Sequence, residues 1–274
     1  MNAAGRDDPA ARVRALAVVP ARLGSTRLPR KMLLRDTGRY LFEHTVRNAE
    51  GCAALDRVVL ATDATEVLAA AREVGVEALL TSASHRSGTD RVREALELLL
   101  ESGAGPFDVV VNVQGDEPCL PVEDIERVVS AFSDPKVDIA TLCAPIRSAA
   151  EADDPAVVKV VLSADGDALY FSRAAIPAAR PGLASAPPRL RHIGVYAFRP
   201  SALREVTDLP PGHLEQLESL EQLRWLEAGH RIRVLEVARS TVGIDTPEDY
   251  ALFVAQAPTA GPPPSDPLVH PEGE

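Results

Sequence analysis

Short apolar runs rich in β-branched residues recur through the first half of the chain, at 15–19, 57–62, 76–81, 107–113 and 138–145. Between them the apolar positions switch to helical spacing. Leu41, His44, Thr45, Asn48 and Ala49 fall on one face, with Gly51 placed to stop the helix, and a second helix over 66–74 ends at Gly75. A third covers 92–100 behind a Ser or Thr available as its N-cap, and a fourth runs over 121–132. Strands alternating with helices in this way predict βαβ units and a parallel sheet. The run 107–113 (FDVVVNV) has so few polar residues that both its faces are expected to be buried.

The pattern changes after residue 145. Strands are predicted in succession at 157–162, 168–172 and 193–198, with a proline-rich connection over 177–188 between the last two, which reads as an inserted, more antiparallel region spanning about 138–212. A helix over 214–228 stopped by Gly229, a strand over 232–237 and a last helix from Pro247 complete a domain of 15–256. Residues 1–14 carry no apolar pattern and read as a flexible leader, and the proline-rich 257–274 reads as a disordered tail.

Composition narrows the function classes. Apolar residues at 46% and charged residues at 25% are ordinary for a globular protein, and 274 residues suffice for a large core. The net charge of −11 opposes general affinity for nucleic acid or an anionic membrane, since both demand the opposite field. Cys52, Cys119 and Cys143 are odd in number and widely spaced, so they read as buried small apolar residues of a reducing compartment. The absence of a leader with an apolar core, and of any run near the roughly 18 residues of a membrane span, predicts a cytoplasmic location.

Against this acidic background, the stretch Pro-Ala-Arg-Leu-Gly-Ser-Thr-Arg-Leu-Pro-Arg-Lys at 20–31 stands out. It follows the first strand directly and offers Gly24, two hydroxyls and the cations Arg22, Arg27, Arg30 and Lys31. Ligands of open parallel sheets bind where loops leave the carboxyl ends of strands, and a turning backbone there presents N–H groups to anions. The loop therefore reads as a polyphosphate site. Neither GxGxxG nor GxxxxGK[ST] is present, which removes the common dinucleotide and ATPase readings.

A second informative stretch, 112–118 (NVQGDEP), ends the fourth strand, where Gly115 lets the backbone turn and Asp116 and Glu117 emerge at the same sheet edge. A carboxylate facing phosphates calls for an intervening cation, and Mg²⁺ suits that setting with Asp116 as its ligand. Asp245, in Gly-Ile-Asp-Thr-Pro-Glu-Asp, has two readings: a second metal ligand, or a helix start with Asp or Thr as cap and proline in the first turn. The six histidines show no zinc spacing, and no GxSxG elbow supports nucleophilic hydrolysis.

These stretches, together with ATD at 61–63, SGTDR at 87–91, VKVV at 158–161, ALYFSRAAIP at 168–177, LRHIGVYAF at 190–198 and LEQLESLEQLR at 214–224, come in one order over about 15–254. In that order the chain resembles the CMP-3-deoxy-D-manno-octulosonate synthetases, cytidylyltransferases that activate Kdo. The related CMP-sialate synthetases share the opening loop but not ALYFSRA or RHIGVYAF. The resemblance implies a Rossmann-like α/β nucleotidyltransferase fold of glycosyltransferase-A type, with a mostly parallel sheet and a β-rich insertion for sugar binding and dimerisation. It further implies CTP and Kdo as substrates, Mg²⁺ as cofactor, a homodimer, and a place in lipopolysaccharide biosynthesis.

Residue by residue, the resemblance places the triphosphate on Arg22, Ser25, Arg27 and Lys31. The base falls to the backbone near Pro20 and Ala21 and to Ser87, Gly88 and Arg91. Asp116 and Asp245 match the magnesium ligands, and Gln114, Arg173, Arg180, His192, Tyr196, Glu221 and Gln222 match the Kdo side. Plainer roles exist for several of these: Arg173 and His192 as structural partners, Tyr196 as core, Glu221 and Gln222 as the surface of an amphipathic helix. Two departures are visible. Arg30 stands where a glycine usually precedes the lysine, and Ala178-Ala179 replace a bulkier aromatic-acidic pair. Rival readings are a cytidylyltransferase for a sialate or amino-Kdo, and a nucleotide-binding module without catalysis.

Overall fold

The computed structural model describes residues 13–178, 188–239, 241 and 243–257. The predicted leader up to residue 12, Ala179 and Arg180 with most of their connection, and the tail from residue 258 lie outside the described residues. No helix among the described residues is long and apolar enough to cross a membrane.

Strand β1 (Ala15–Ala21) is buried on both faces, and its side chains alternate between two cores as the period of 2 requires. Ala15, Ala17, Val19 and Ala21 face one core; Leu16 and Val18 face the other. The first core is closed by α1 (Leu41–Glu50), α2 (Thr65–Glu73), α4 (Val122–Ser130) and α9 (Pro247–Gln256). The second is closed by α3 (Gly88–Glu101), α6 (Pro200–Asp208) and α8 (Gln222–Glu227). The result is a helix–sheet–helix sandwich.

The sheet also contains β2 (Arg57–Thr62), β3 (Ala78–Leu80), β4 (Val109–Asn112), β5 (Ile139–Pro145), β8 (Leu190–Phe198) and β9 (Arg233–Glu236), in the order β3-β2-β1-β4-β8-β5-β9. β1, β2, β3 and β4 are mutually parallel. β8 runs antiparallel to both β4 and β5, and β9 parallel to β5. Of these seven strands every one except β8 therefore points the same way, and the carboxyl ends of β1, β4 and β9 open on one edge. The order reverses between β1 and β4, the place where such sheets bind ligands. The β-rich stretch after residue 138 is continuous with this sheet: after the short α5 (Ala149–Asp153), β6 (Lys159–Leu162) and β7 (Ala168–Ser172) form a hairpin that joins it through β8.

Three local features differ from the sequence reading. The third helix begins at Gly88, earlier than the expected 92, with Ser87 as the serine cap: Ser87 Oγ accepts from the Asp90 N–H at 3.1 Å, and Asp90 Oδ2 accepts from the Ser87 N–H at 3.1 Å. The helix expected over 214–228 is two, α7 (His213–Glu218) and α8, because Ser219 adopts φ 53° and ψ 49°. Of the three cysteines, Cys52 and Cys143 are buried but Cys119 is exposed, since it follows Pro118 in the loop leaving β4 rather than lying in a strand or helix core.

The departure at Arg30 has a structural meaning. Its backbone is left-handed, φ 57° and ψ 26°, leading into the 3₁₀ turn Lys31–Leu33. A side chain there costs about 1–2 kcal/mol that glycine avoids. Its ion pair with Glu66 at 2.7 Å joins two side chains that are 59% and 55% exposed, too solvated to offset the strain. Arg30→Gly is expected to raise stability by about 0.5–1 kcal/mol in urea unfolding, after allowance for the extra freedom of glycine in the unfolded chain. A loss of stability would mean that the turn is not strained.

Candidate active site

A cleft of about 300 Å³ opens at the shared carboxyl edge, lined by Arg22, Gly24, Ser25, Thr26, Arg27 and Lys31 from the loop after β1, and by Gln114, Gly115 and Asp116 from the loop after β4. His85, Arg86, Ser87, Gly88 and Arg91 form the wall at the start of α3, and Asp245 arrives from beyond β9. Pro20 also lines the cleft, whereas Ala21 is buried behind it. Gly115 is required here: a Cβ would lie 2.7 Å from the Pro20 carbonyl oxygen, so any side chain would push β1 and the β4 loop apart. α1 holds that loop from below, Thr45 Oγ1 donating to the Gly115 carbonyl at 2.9 Å and Asn48 Nδ2 to the Leu120 carbonyl at 2.5 Å.

The two aspartates meet although 129 positions separate them (245 − 116). The Ile244 N–H donates to the Asp116 carbonyl at 2.8 Å, stitching the segment after β9 to the loop after β4. The two readings of Asp245 are separated by the cap of α9. Thr246 Oγ1 accepts from the Asp249 N–H at 3.1 Å, so threonine caps the helix and the Asp245 side chain is left for the cleft. Lys31 Nζ lies between the acids, donating to Asp116 Oδ2 at 2.5 Å, Asp245 Oδ1 at 2.9 Å and the Ile244 carbonyl at 3.0 Å. Burial pulls the Lys31 pKa down, but Asp116 and Asp245 together outweigh it and hold it above its usual value. Arg27 pairs with Asp245 Oδ2 at 2.8 Å from an exposed position, and Arg22 is exposed without a carboxylate partner among the described residues.

Among the described residues no three His, Cys, Asp or Glu side chains gather as a metal cage. The Asp116–Asp245 pair nonetheless suits magnesium, which takes one or two carboxylates and completes its shell with phosphate oxygens and water. Two carboxylate oxygens already converge on a single cation, so the donor set fits. Beside them the Glu117 carboxyl is pushed up to about 8 by burial and then by the charge of Asp116, with Arg191 acting the other way, and its Oε2 has no hydrogen-bond partner.

Arg91 is buried, with its guanidinium committed to Thr81 Oγ1 at 2.5 Å and Asp63 Oδ2 at 2.7 Å. It braces the start of α3 against the ends of β2 and β3. A second cleft, of about 450 Å³, shares Arg86 and Ser87 with the first and is lined further by Asp90, Ser219, Glu221 and Arg224. Glu221 is held by Thr89 Oγ1 at 2.7 Å and Arg224 at 2.8 Å, and burial raises its pKa despite the hydroxyl of Thr89. Gln114 Nε2 donates to the Gly194 carbonyl at 3.3 Å.

Of the other residues expected on the sugar side, Arg173, His192, Tyr196 and Gln222 line neither cleft. Arg173 donates to the carbonyls of Glu218 at 2.7 Å and Pro155 at 2.9 Å, anchoring the break between α7 and α8, while Gln222 is buried in α8. Tyr196 packs edge-on against Trp225 at 5.0 Å, and its hydroxyl is buried without a hydrogen-bond partner. Arg180 lies outside the described residues. His85 and Arg86 were missed by the sequence reading, whose only signal for them was adjacency to SGTDR.

His192 lies edge-on to Phe171 with Nε2 3.0 Å from Thr141 Oγ1, and burial, with a smaller effect of Arg191, lowers its pKa to about 3. The unfolded chain binds this proton near 6.5 and the folded chain only near 3, so this group costs stability as pH falls from about 6.5 toward 3. Urea unfolding at pH 7 and 5 is expected to show a smaller loss on acidification for His192→Gln than for the natural chain. Equal losses would place His192 in a solvated, ordinary environment.

The family described as Cytidylyltransferase matches this chain over residues 16–232. A 3-deoxy-manno-octulosonate cytidylyltransferase of Nitratidesulfovibrio vulgaris is 48% identical over 239 residues, covering 86% of this chain and 93% of the relative. One from Porphyromonas gingivalis is 42% identical over 253 residues, covering 90% and 97%. The solved structure of a CMP:2-keto-3-deoxy-manno-octonic acid synthetase complexed with CTP superposes with a TM-score of 0.81 at 41% identity, covering 88% of this chain and 97% of the other.

Proposed function

The chain belongs to the 3-deoxy-manno-octulosonate cytidylyltransferases and transfers CMP from CTP to Kdo, releasing pyrophosphate; from that premise we propose how its residues divide the work. The observation that carries the assignment is the convergence of Asp116 and Asp245 on one cation beside the loop 20–31. Arg22, Ser25, Arg27 and Lys31 receive the triphosphate, and Arg22 and Lys31 balance the charge that develops on the departing pyrophosphate. The backbone at Pro20 and Ala21, with Ser87 and Gly88, reads the cytosine, and Arg91 holds that wall in place. Asp116 and Asp245 would hold magnesium, which when bound supplies neutralisation of phosphate charge.

Kdo lies beside Gln114 and reaches toward Glu221; Arg173, Arg180, His192, Tyr196 and Gln222 belong to the same group. The anomeric C2 hydroxyl loses its proton to solvent as its oxygen attacks the α-phosphorus in line, and pyrophosphate leaves from the opposite side. Little covalent work falls to the protein in such a transfer, so its contribution is positioning and charge. His192, its pKa lowered to about 3 by burial, is too weak a base to take the hydroxyl proton. The homodimer belongs to this reading, supported by β7, which pairs only with β6 among the described strands, and by Leu169 on it, 61% exposed. So do a cytoplasmic location and the supply of CMP-Kdo to lipopolysaccharide biosynthesis.

The test is pyrophosphate release by purified protein with CTP, magnesium and either Kdo, amino-Kdo or sialate; the expected result is turnover with Kdo in preference to the others. Asp116→Ala is expected to lose about a hundredfold or more in rate while keeping its circular dichroism spectrum. Near-normal turnover by the folded variant would remove Asp116 from the chemistry.

A further inference from the structure

Lys31 is assigned above to the phosphates, yet in the structure all three of its ammonium protons are engaged by the protein: by Asp116, Asp245 and the Ile244 carbonyl. The Lys31 side chain is 10% exposed while those of Asp116 and Asp245 are 27% and 44% exposed, so the ammonium is saturated by the protein at a place that ions and phosphates can still reach. The carboxylates it bridges are the pair that suits a divalent ion. The two cations exclude each other. An ion within the roughly 2.0–2.1 Å magnesium–oxygen distance of both oxygens would lie against Nζ, which is itself 2.5 and 2.9 Å from them, and like charges at that separation repel strongly.

Charge counting points the same way. In the free cleft the two carboxylates are matched by two cations, Lys31 and Arg27. A divalent ion on the pair would replace both, and would leave an ammonium and a guanidinium with no anion until a triphosphate arrived. We propose that Lys31 is the resident counter-ion of the Asp116–Asp245 pair in the free enzyme. It yields the pair to the divalent ion only when phosphate oxygens are present to take its ammonium, so that metal and nucleotide load as a coupled pair. The exchange needs only rotation of the lysine stem, because the backbone of the turn is held by the Leu34 N–H donating to the Lys31 carbonyl at 3.1 Å. By linkage, whatever the nucleotide adds to metal affinity, the metal adds to nucleotide affinity. This inference rests on the assignment of Asp116 and Asp245 to the metal.

The test is Mn²⁺ binding to the full chain, without nucleotide, by electron paramagnetic resonance. If Lys31 occupies the pair nine-tenths of the time or more, metal affinity is suppressed by about tenfold or more, so Lys31→Met is expected to bind Mn²⁺ at least about tenfold tighter than the natural chain. Arg27→Met removes the same charge from one carboxylate only and is expected to gain much less. No gain in Lys31→Met, or an equal gain in Arg27→Met, overturns the exchange. If Mn²⁺ with CTP still binds the natural chain and requires Asp116, the exchange alone has failed. If the gain of Lys31→Met survives Asp116→Asn in the same chain, the ion is not on this pair, and the metal assignment falls with the exchange. Should Lys31→Met not fold, ¹⁵N-lysine spectra of the natural chain decide. The Lys31 ammonium signal is expected to move with Mg²⁺ and CTP together and to stay in place with Mg²⁺ alone; movement with Mg²⁺ alone overturns the proposal.

Discussion

The cleft is built around one ammonium held between two carboxylates. Lys31, Asp116 and Asp245 come from the segments that leave β1, β4 and β9, and a buried cation tolerates its position only because both acids and a carbonyl surround it. That demand fixes how closely the three segments must approach. Gly115 passes against the Pro20 carbonyl where no side chain fits, and the backbone of Ile244 is bonded to that of Asp116. The reversal of strand order between β1 and β4 supplies the gap, and the parallel course of β9 brings the last acid back to the same edge.

The start of α3 links this centre to the second cleft. Its capped first turn presents Ser87 and Gly88 to the first cleft, while Thr89, one residue on, holds Glu221 at the second. Arg91 anchors the same turn to Asp63 and Thr81. A shift of this turn would thus be felt in both clefts together. His192, Tyr196, Phe198 and Trp225 form an aromatic cluster whose rings pack at 5.0–5.9 Å.

The cationic loop operates in a protein of net charge −11. A local positive field in an acidic molecule favours a compact polyanion such as a nucleoside triphosphate over an extended one, because the surrounding surface repels whatever reaches beyond the cleft. Part of that positive charge is balanced by the protein itself. Arg22 faces solvent without a carboxylate partner among the described residues, whereas Lys31 and Arg27 are neutralised by the acids they touch.

Local chemistry made much of this protein readable from its residues. The β-branched runs and the helical spacing between them specified the strands and helices, because burial on two faces or one is written directly into side-chain periodicity. That the loop 20–31 and the turn at Gly115 leave the sheet at one edge was likewise legible, since each directly follows a strand of the parallel pattern. Other features were decided only by contacts between distant segments. Whether Asp245 capped a helix or faced the cleft depended on Thr246 taking the cap. Ser219 broke a helix that its apolar spacing continued, with Arg173 anchoring the break across 46 positions (219 − 173). Arg91 and Lys31 read as ligand cations, but the protein's own carboxylates hold them. A side chain's type limits what it can bind, and periodicity limits which face it takes. Its partner is set by whichever group the fold brings within 3 Å, and that information lies in the packing of the sheet.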